Sequence, residues 1–127
     1  MVSSMIKIEQ TLWGRKFELP ISCECRTDEE ITDAQKLASS AILRAWDVVE
    51  GSKASVEQYC KQRDGDRIND EIENIFKYVV PSELLILHSE TDRTVALMCN
   101  YRFDIDRGLA VIFKNEKLLK VVPQDEL

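Results

Sequence analysis

Tyr101, Asp104, Asp106 and Arg107 are the residues of this chain whose types and spacing best suit chemistry. Together they bring a phenol, two carboxylates and a guanidinium into one short polar segment. Carboxylates at such spacing can hold a cation or share acid and base roles. We take these four as candidate binding residues and predict that none of them is catalytic.

The segment 104–108 begins like a calcium-binding loop, with acidic residues at its first and third positions. An EF-hand loop also needs a glutamate at its twelfth position. The chain has Asn115 there, and the intervening residues read as a strand. We therefore interpret the segment as a turn in which the aspartates cap the bend and Gly108 takes a left-handed or bulged conformation.

His88 is the only histidine of the chain, and histidine commonly transfers protons near neutral pH. A cysteine beside it, such as Cys99 on a neighbouring strand, would make a nucleophilic pair. The sequence around both residues has no nucleophile elbow and no thiol-protease signature. We interpret His88 as a surface or rim residue and keep it as a candidate binding residue.

Cys23 and Cys25 lie two positions apart, so in a strand both side chains point to one face. Zinc could be held by this pair together with Cys60, Cys99 or His88, but structural zinc sites usually combine two close pairs of ligands. The two cysteines also continue the apolar row of the strand that precedes them, where reduced cysteine behaves as a small hydrophobic residue. We expect core packing, no metal and no cofactor.

A helix is predicted over Asp33–Glu50, where apolar residues recur at three- and four-residue spacing. Thr32 is its predicted N-cap, and Gly51 follows its last turn. Trp46 lies beside the apolar stripe, at a position that we expect to be half exposed. Tryptophan is over-represented at binding hot spots, so Trp46 is a further candidate, although packing at the margin of the core is the simpler interpretation.

Apolar and polar residues alternate near both ends of the chain, which is the period of a strand with one buried face. An N-terminal hairpin is predicted to turn at Gly14-Arg15, and Pro20 marks its second strand as an edge or a bulge. A C-terminal meander begins at Leu84. Its turns fall at 90–93, 104–108 and 114–117, and its inward-facing residues are Val95, Leu97, Cys99, Tyr101 and Phe103.

Two more helices are predicted between these regions, over 52–63 and 68–78, and Pro81 ends the helical part. The order of hairpin, helices and meander predicts an α+β fold. We expect a single domain over residues 1–127. In it, the hairpin and the meander form one antiparallel sheet that is packed on one face by two or three helices.

The chain has 23 acidic and 17 basic side chains, a net charge of −6. Such a surface repels phosphate backbones on average, so we predict no nucleic-acid partner. No stretch reaches the roughly 20 apolar residues that cross a bilayer, and the N-terminus has no signal-peptide pattern. We therefore expect no membrane partner and a cytoplasmic location.

The C-terminal part resembles a bacterial domain-of-unknown-function family of small α+β proteins. The resemblance covers residues 81–127, with an aromatic-x-x-acidic-x-acidic-x-Gly hairpin over 101–108 and a Q-D-x-L-like ending over 124–127. Two positions depart from the family pattern, because Tyr101 replaces a tryptophan and Arg107 replaces a histidine. The resemblance implies a cytoplasmic bacterial domain without established catalysis, and some similar small proteins are suspected immunity partners in toxin systems.

These observations lead to two hypotheses of function. The first is a non-enzymatic protein-binding module, immunity-like or self-associating, whose partner is another protein or a second copy of the chain. The alternative is a small enzyme or ligand-binding domain with its site at the rim of the sheet, near His88, Asp104 and Asp106.

Overall fold

The computed structural model describes residues 2–24, 31–68 and 71–127, and for residues 2–6 the backbone alone. Six strands and three α-helices form along the described chain. In order they are β1 (Val2–Leu12), β2 (Arg15–Glu24), α1 (Asp33–Arg44), α2 (Trp46–Glu50), α3 (Lys53–Asp64), β3 (Val79–Ile86), β4 (Thr94–Tyr101), β5 (Leu109–Lys114) and β6 (Lys117–Val122). Two short 3-10 helices, Ile75–Lys77 and Gln124–Glu126, precede β3 and follow β6.

All six strands belong to one sheet, in the order β1-β2-β3-β4-β5-β6. Neighbours are antiparallel except β2 and β3, which are parallel and pair Ile21 with Leu84. The α+β class is confirmed, whereas the prediction of a purely antiparallel sheet is wrong. Parallel neighbours need a long crossover rather than a tight turn, and the crossover here contains α1, α2 and α3.

The sheet has two unlike faces, which we name the core face and the open face. The core face carries large apolar side chains that share one buried cluster with residues from all three α-helices. Its strand residues include Leu19, Ile21, Leu84, Ile86, Val95, Leu97, Cys99, Tyr101, Val111 and Phe113. The residues between them point to the open face, and they are absent from that cluster in the described part of the chain.

Of the five inward-facing residues expected in the meander, Val95, Leu97, Cys99 and Tyr101 lie in β4 and are buried. Phe103 lies beyond the end of β4 and is half buried. Its ring packs edge-on against Tyr101, with centroids 5.8 Å apart. The alternation therefore stops two residues earlier than the sequence suggested.

The long helix predicted over 33–50 is two helices with a break at Ala45, where φ is −105° and ψ is 33°. Its start is as predicted, because the Thr32 hydroxyl accepts a hydrogen bond from the backbone of Gln35 in a capping box. The break turns Trp46 towards β1, and its indole N–H donates to the carbonyl of Thr11 at 2.8 Å.

The helix predicted over 68–78 is wrong. Within the described residues of that range, the only helical segment is the 3-10 helix Ile75–Lys77. Asn74 precedes it and accepts a hydrogen bond from the backbone of Phe76. Asparagine side chains that bond nearby backbone groups compete with helix formation, and β3 begins only two residues after the 3-10 helix.

Pro20 and Pro81 both lie inside strands. Pro20 was predicted to mark an edge strand or a bulge, and that prediction is wrong: β2 is an interior strand whose register with β1 does not shift at Pro20. Pairing of β2 with β3 begins at the next residue, Ile21. Pro81 is in β3, beside a shift of register against β4. Proline has no backbone N–H to donate to a neighbouring strand. Pro20 and Pro81 lie where the pairing with a neighbour begins or changes register, so the missing donor interrupts little regular pairing.

The β1–β2 hairpin turns at Trp13-Gly14, one residue earlier than predicted, and both residues have positive φ. Positive φ is strained for a bulky side chain. The conformation is held by a buried hydrogen bond of 3.2 Å from the Trp13 indole N–H to the Ser52 hydroxyl. That hydroxyl donates in turn to the carbonyl of Val49, so one serine links the hairpin to the break between α2 and α3.

Among the described residues, no helix has the length and apolar character required to cross a membrane.

Replacing Ser52 by alanine should lower the free energy of unfolding by about 1–3 kcal/mol, because the buried Trp13 indole N–H loses its acceptor. Ser40 is the matched control: its hydroxyl bonds the carbonyl of Leu37 at the surface, so Ser40→Ala should change stability by no more than about 0.5 kcal/mol. Urea unfolding followed by circular dichroism measures both. Equal effects of the two variants would contradict the role given to Ser52.

Candidate functional site

A cluster of charged side chains forms where β4 ends, centred on the carboxylate of Asp104. One of its oxygens accepts hydrogen bonds from the guanidinium groups of Arg63 and Arg107, each at 2.9 Å. Arg63 lies in the last turn of α3, 41 positions earlier in the chain. A second carboxylate, that of Asp125, lies 3.7 Å from Arg107. We name Arg63, Asp104 and Arg107 the arginine–aspartate cluster.

Two tyrosines border the arginine–aspartate cluster. The hydroxyl of Tyr59 accepts a hydrogen bond from Arg63, one turn further along α3. The hydroxyl of Tyr101 donates to Asp64 at 2.7 Å, and the two tyrosine rings are 6.1 Å apart. The end of α3 is therefore tied to the end of β4 by two separate polar contacts, both involving residues named in the sequence motif.

The turn after β4 has the conformation predicted for Asp104 and Gly108. The Arg107 backbone N–H donates to the Asp104 carboxylate, and the Gly108 N–H donates to the Asp104 carbonyl. Gly108 has a φ of +58°, and a Cβ there would lie 2.4 Å from the carbonyl oxygen of Cys99. Only glycine therefore fits, both for its left-handed backbone and for the close approach of β4.

The side chain of Gln124 connects the C-terminal residues to the same site. Its side-chain amide donates to the carbonyls of Cys99 and Leu109, at 3.0 and 3.3 Å. It thereby ties the C-terminal 3-10 helix to the ends of β4 and β5. A side chain on Gly108 would collide with this amide.

The protonation of the buried groups beside the cluster follows from their surroundings. The pKa of the Cys60 thiol is raised to about 11, chiefly by burial; a hydrogen bond with Tyr101 opposes the rise and the nearby Asp64 carboxylate adds to it. Burial and the hydrogen bond to Asp64 raise the pKa of Tyr101 well above its ordinary value. Burial also raises the pKa of Cys99. At neutral pH these groups are protonated, so neither thiol is an activated nucleophile.

The candidate residues do not all come together. Tyr101, Asp104 and Arg107 meet at the end of β4, whereas His88 follows the end of β3, the strand antiparallel to it. β3 has eight residues, so at about 3.3 Å per residue its ends are roughly 23 Å apart. The site imagined around His88, Asp104 and Asp106 is therefore split between opposite ends of the sheet.

Asp106 and Trp46 lie in contrasting environments. Asp106 is exposed at the tip of the turn. Trp46 is only 8% exposed, so the prediction of a half-exposed tryptophan is wrong. The break at Ala45 turns the indole inward, where its N–H group donates a hydrogen bond to β1 and is therefore satisfied although buried.

No group of three or more histidine, cysteine, aspartate or glutamate side chains is placed to hold a metal ion within the described ranges 7–24, 31–68 and 71–127. Cys60 and Cys99 are buried free thiols, and Cys23 is half buried and packs against the core. Cys25 lies outside the described residues.

Sequence reasoning missed the contributions of α3 and of the chain end to the site. Tyr59 and Arg63 lie four positions apart, the spacing that places two side chains on one helix face. That signal was present in the sequence. The pairing of this face with the turn at Asp104 depends on the crossover between β2 and β3, which no local pattern reveals.

A groove runs between α3 and the edge strand β6. It encloses about 320 Å³. Its α3 side presents polar and aromatic groups, and its β6 side presents aliphatic ones; the lining residues are Ser55, Gln58, Tyr59, Gln62, Leu118, Leu119, Lys120 and Val121. Leu119 is 55% exposed and falls at the register shift between β5 and β6.

A scan of protein-family models matches residues 4–127 to a domain of unknown function, DUF6985. The chain belongs to this family. No curated protein and no solved structure gives a significant match. The DUF6985 match spans hairpin, helices and meander, so all the elements that build the site lie within the family domain. Its description assigns no activity.

Replacing Asp104 by asparagine should lower the free energy of unfolding by about 1–3 kcal/mol, because Arg63 and Arg107 lose a common charged acceptor. The matched control is Asp106→Asn, two residues away and exposed, which should change stability by no more than about 0.5 kcal/mol. Chemical denaturation of both variants measures the difference. A larger loss from Asp106→Asn than from Asp104→Asn would overturn the role given to the cluster.

Alkaline pH should lower the free energy of unfolding, because the folded chain keeps protons on Cys60, Cys99 and Tyr101 that the unfolded chain releases. A group whose pKa is higher in the folded chain than in the unfolded chain stabilises the fold fully at pH values below its unfolded pKa. This stabilisation is lost as the pH rises from the unfolded pKa to the folded pKa. For Cys60 the loss falls between about pH 9 and 11 and amounts to about 3 kcal/mol at about 1.4 kcal/mol per pKa unit.

The variant Cys60→Ala separates this titration from general alkaline effects. It is less stable at neutral pH because it leaves a cavity, but its stability should fall less steeply between about pH 9 and 11. Ser40→Ala, which removes no titratable group, should keep the wild-type slope. Equal slopes in all three proteins would contradict the assignment to Cys60.

Proposed function

We propose that this chain is a non-enzymatic protein-binding module whose partner adds an extended segment to the edge strand β6. The observation that carries the proposal is the combination of an edge strand, an exposed Leu119 and a groove beside it. Edge strands present backbone groups that can pair with another chain. Peptide recognition by strand addition uses such an edge for affinity and neighbouring pockets for specificity.

The groove supplies the second requirement of this binding mode. Tyr59 and Gln62 face it from α3, while Leu119 and Val121 face it from β6. An extended segment paired with β6 would direct alternate side chains towards α3. The mixture of a phenol ring, amides and aliphatic side chains suits a medium-sized apolar side chain of the partner better than a charged one.

The charges beside the edge favour an acidic segment. Lys117 and Lys120 are exposed on β6, and no ion pair joins either to another described residue. An acidic partner would gain attraction and a faster encounter from these lysines. Pairing of β6 with β6 of a second copy would bring lysines together, so charge disfavours that arrangement.

The arginine–aspartate cluster supports an enzyme less well. Both guanidinium groups bind the same Asp104 carboxylate, and Tyr101 is held protonated by burial and by Asp64. These contacts link α3 to β4 and use the groups that a substrate would need. A ligand at this end of the sheet would have to displace them, so we assign the cluster a structural role.

The proposal is tested by a matched pair of surface variants, Leu119→Asp and Leu37→Asp. Both leucines are similarly exposed, at 55% and 58%, but Leu37 lies on α1, away from the groove. Tagged wild-type protein and both variants are used to capture partners from the source cells, with recovery quantified by mass spectrometry. We expect a protein recovered by the wild type and by Leu37→Asp, and reduced at least tenfold with Leu119→Asp.

A direct probe avoids dependence on the lysate. A synthetic peptide of alternating glutamate and valine should bind the wild type, and the same peptide with lysine in place of glutamate should bind at least tenfold more weakly. Equal capture by both leucine variants, together with no preference for the acidic peptide, would refute strand addition at β6.

A further inference from the structure

The turn over 104–108 carries an isoleucine in water. Ile105 is 85% exposed, although the turn around it is held by several hydrogen bonds. The Asp104 carboxylate accepts from the backbone and the guanidinium of Arg107, and the Asp104 carbonyl accepts from Gly108. None of these contacts uses the Ile105 side chain. A lone exposed apolar residue is common on protein surfaces, so the surroundings of Ile105 decide whether it has a further role.

Ile105 borders a pocket of about 230 Å³, which we name the turn pocket, beside the paired ends of β3 and β4. Val80 in β3 pairs with Asn100 in β4, and both are exposed and line the pocket. Among the described residues five large apolar side chains are exposed, and two of them, Val80 at 44% and Ile105, line this one pocket. Exposed apolar side chains that gather at one place, unlike scattered ones, are typical of an interaction site.

The charged side chains that line the turn pocket are all basic. Lys77 and Arg102 line it, whereas Asp106, next to Ile105 in the chain, does not. No ion pair joins either basic residue to another described residue. The Lys77 amine lies 5.9 Å from the centre of the Tyr78 ring, a weak attraction that leaves its charge available. On a chain of net charge −6, the pocket is a local site of attraction for carboxylates.

The backbone around the turn pocket is already ordered in the single chain. The Arg102 N–H donates to the carbonyl of Tyr78 at 2.8 Å, and the Asp104 N–H donates to the carbonyl of Tyr101. Binding at a preformed site costs little ordering of the chain. The volume of about 230 Å³ is below the range of about 300–1,000 Å³ that is typical of small-molecule sites. The pocket therefore suits one side chain of a partner protein better than a whole small molecule.

We propose that the turn pocket is a second protein-binding surface, which takes a segment of a partner protein with a large apolar side chain between carboxylates. The apolar side chain contacts Val80 and Ile105, and the carboxylates pair with Lys77 and Arg102. This surface is separate from the one proposed on β6, because β4 and β5 lie between β3 and β6 and the two pockets share no lining residue. The turn motif then has a role in display as well as in linking α3 to β4.

The test uses a labelled synthetic peptide, Asp-Asp-Leu-Asp-Asp with blocked ends, titrated with the purified chain at low salt and followed by fluorescence anisotropy. The peptide should bind, and binding should weaken as salt is raised. The same peptide with lysine in place of aspartate should bind at least tenfold more weakly, and the peptide with alanine in place of leucine at least threefold more weakly. Backbone amide shifts in the NMR spectrum of the chain should change most within 77–80 and 100–105.

Two variants of the chain remove the two kinds of contact. Ile105→Ser and Arg102→Gln should each raise the dissociation constant of the acidic peptide at least fivefold. Their matched controls lie on α1: Leu37→Ser replaces a leucine that is 58% exposed, and Arg44→Gln replaces an exposed arginine. Both controls should leave the constant within about twofold, and so should Leu119→Asp, which alters only the β6 surface. Circular dichroism checks that each variant is folded.

Absence of binding, equal binding of the acidic and basic peptides, or a peptide insensitive to both Ile105→Ser and Arg102→Gln would overturn the proposal. Binding that is lost with Leu119→Asp but kept with Ile105→Ser would place the peptide at β6 and would overturn it as well, while leaving the proposal for β6 intact. Sedimentation equilibrium of the chain alone should show a monomer. A dimer that Ile105→Ser dissociates would assign the turn pocket to a second copy and would refute a separate partner there.

Discussion

The parallel pairing of β2 with β3 is the constraint on which the rest of this fold depends. Two parallel neighbours cannot be joined by a tight turn, so the chain must leave the sheet at Glu24 and return at Val79. The residues of that excursion form α1, α2 and α3, and their apolar sides join the core face. One pairing thus unites the N-terminal hairpin with the C-terminal meander and brings the helices of the crossover to one face of the sheet.

Local features of this fold were predictable because local physics determines them. Period-two alternation revealed the strands of the meander, and the Thr32 capping box marked the start of α1. The turn over 104–108 followed from its aspartates and glycine. The parallel pairing of β2 with β3 was not predictable. It depends on contacts between residues far apart in the chain, such as Ile21 and Leu84, and the local sequence of neither strand reveals them. The predicted helix near 68–78 is wrong for a related reason: its apolar residues pack against the core, buried or half buried, without forming a regular helix, in part because Asn74 offers the backbone another partner.

In the candidate site, too, the local features were predictable from the sequence and the long-range contacts were not. Tyr101, Asp104 and Gly108 were recognised as a unit, and they do form one. Their partners Arg63 and Asp64 come from α3, and Gln124 comes from the end of the chain. Three of the motif residues make a structural contact: Tyr101 bonds α3, Asp104 bonds two arginines, and Gly108 leaves room for Gln124. The motif that suggested a ligand site also forms the joint between the crossover and the meander.

The distribution of charge over the surface becomes clear only from the fold. A net charge of −6 suggests an acidic surface, yet β6 and the end of β5 carry Lys114, Lys117 and Lys120 along one margin of the sheet. The acidic excess therefore lies elsewhere on the molecule. Long-range fields follow net charge, whereas recognition follows the local arrangement of charges around a desolvated patch. A basic margin on an acidic protein is thus where an acidic segment would be attracted against the average repulsion.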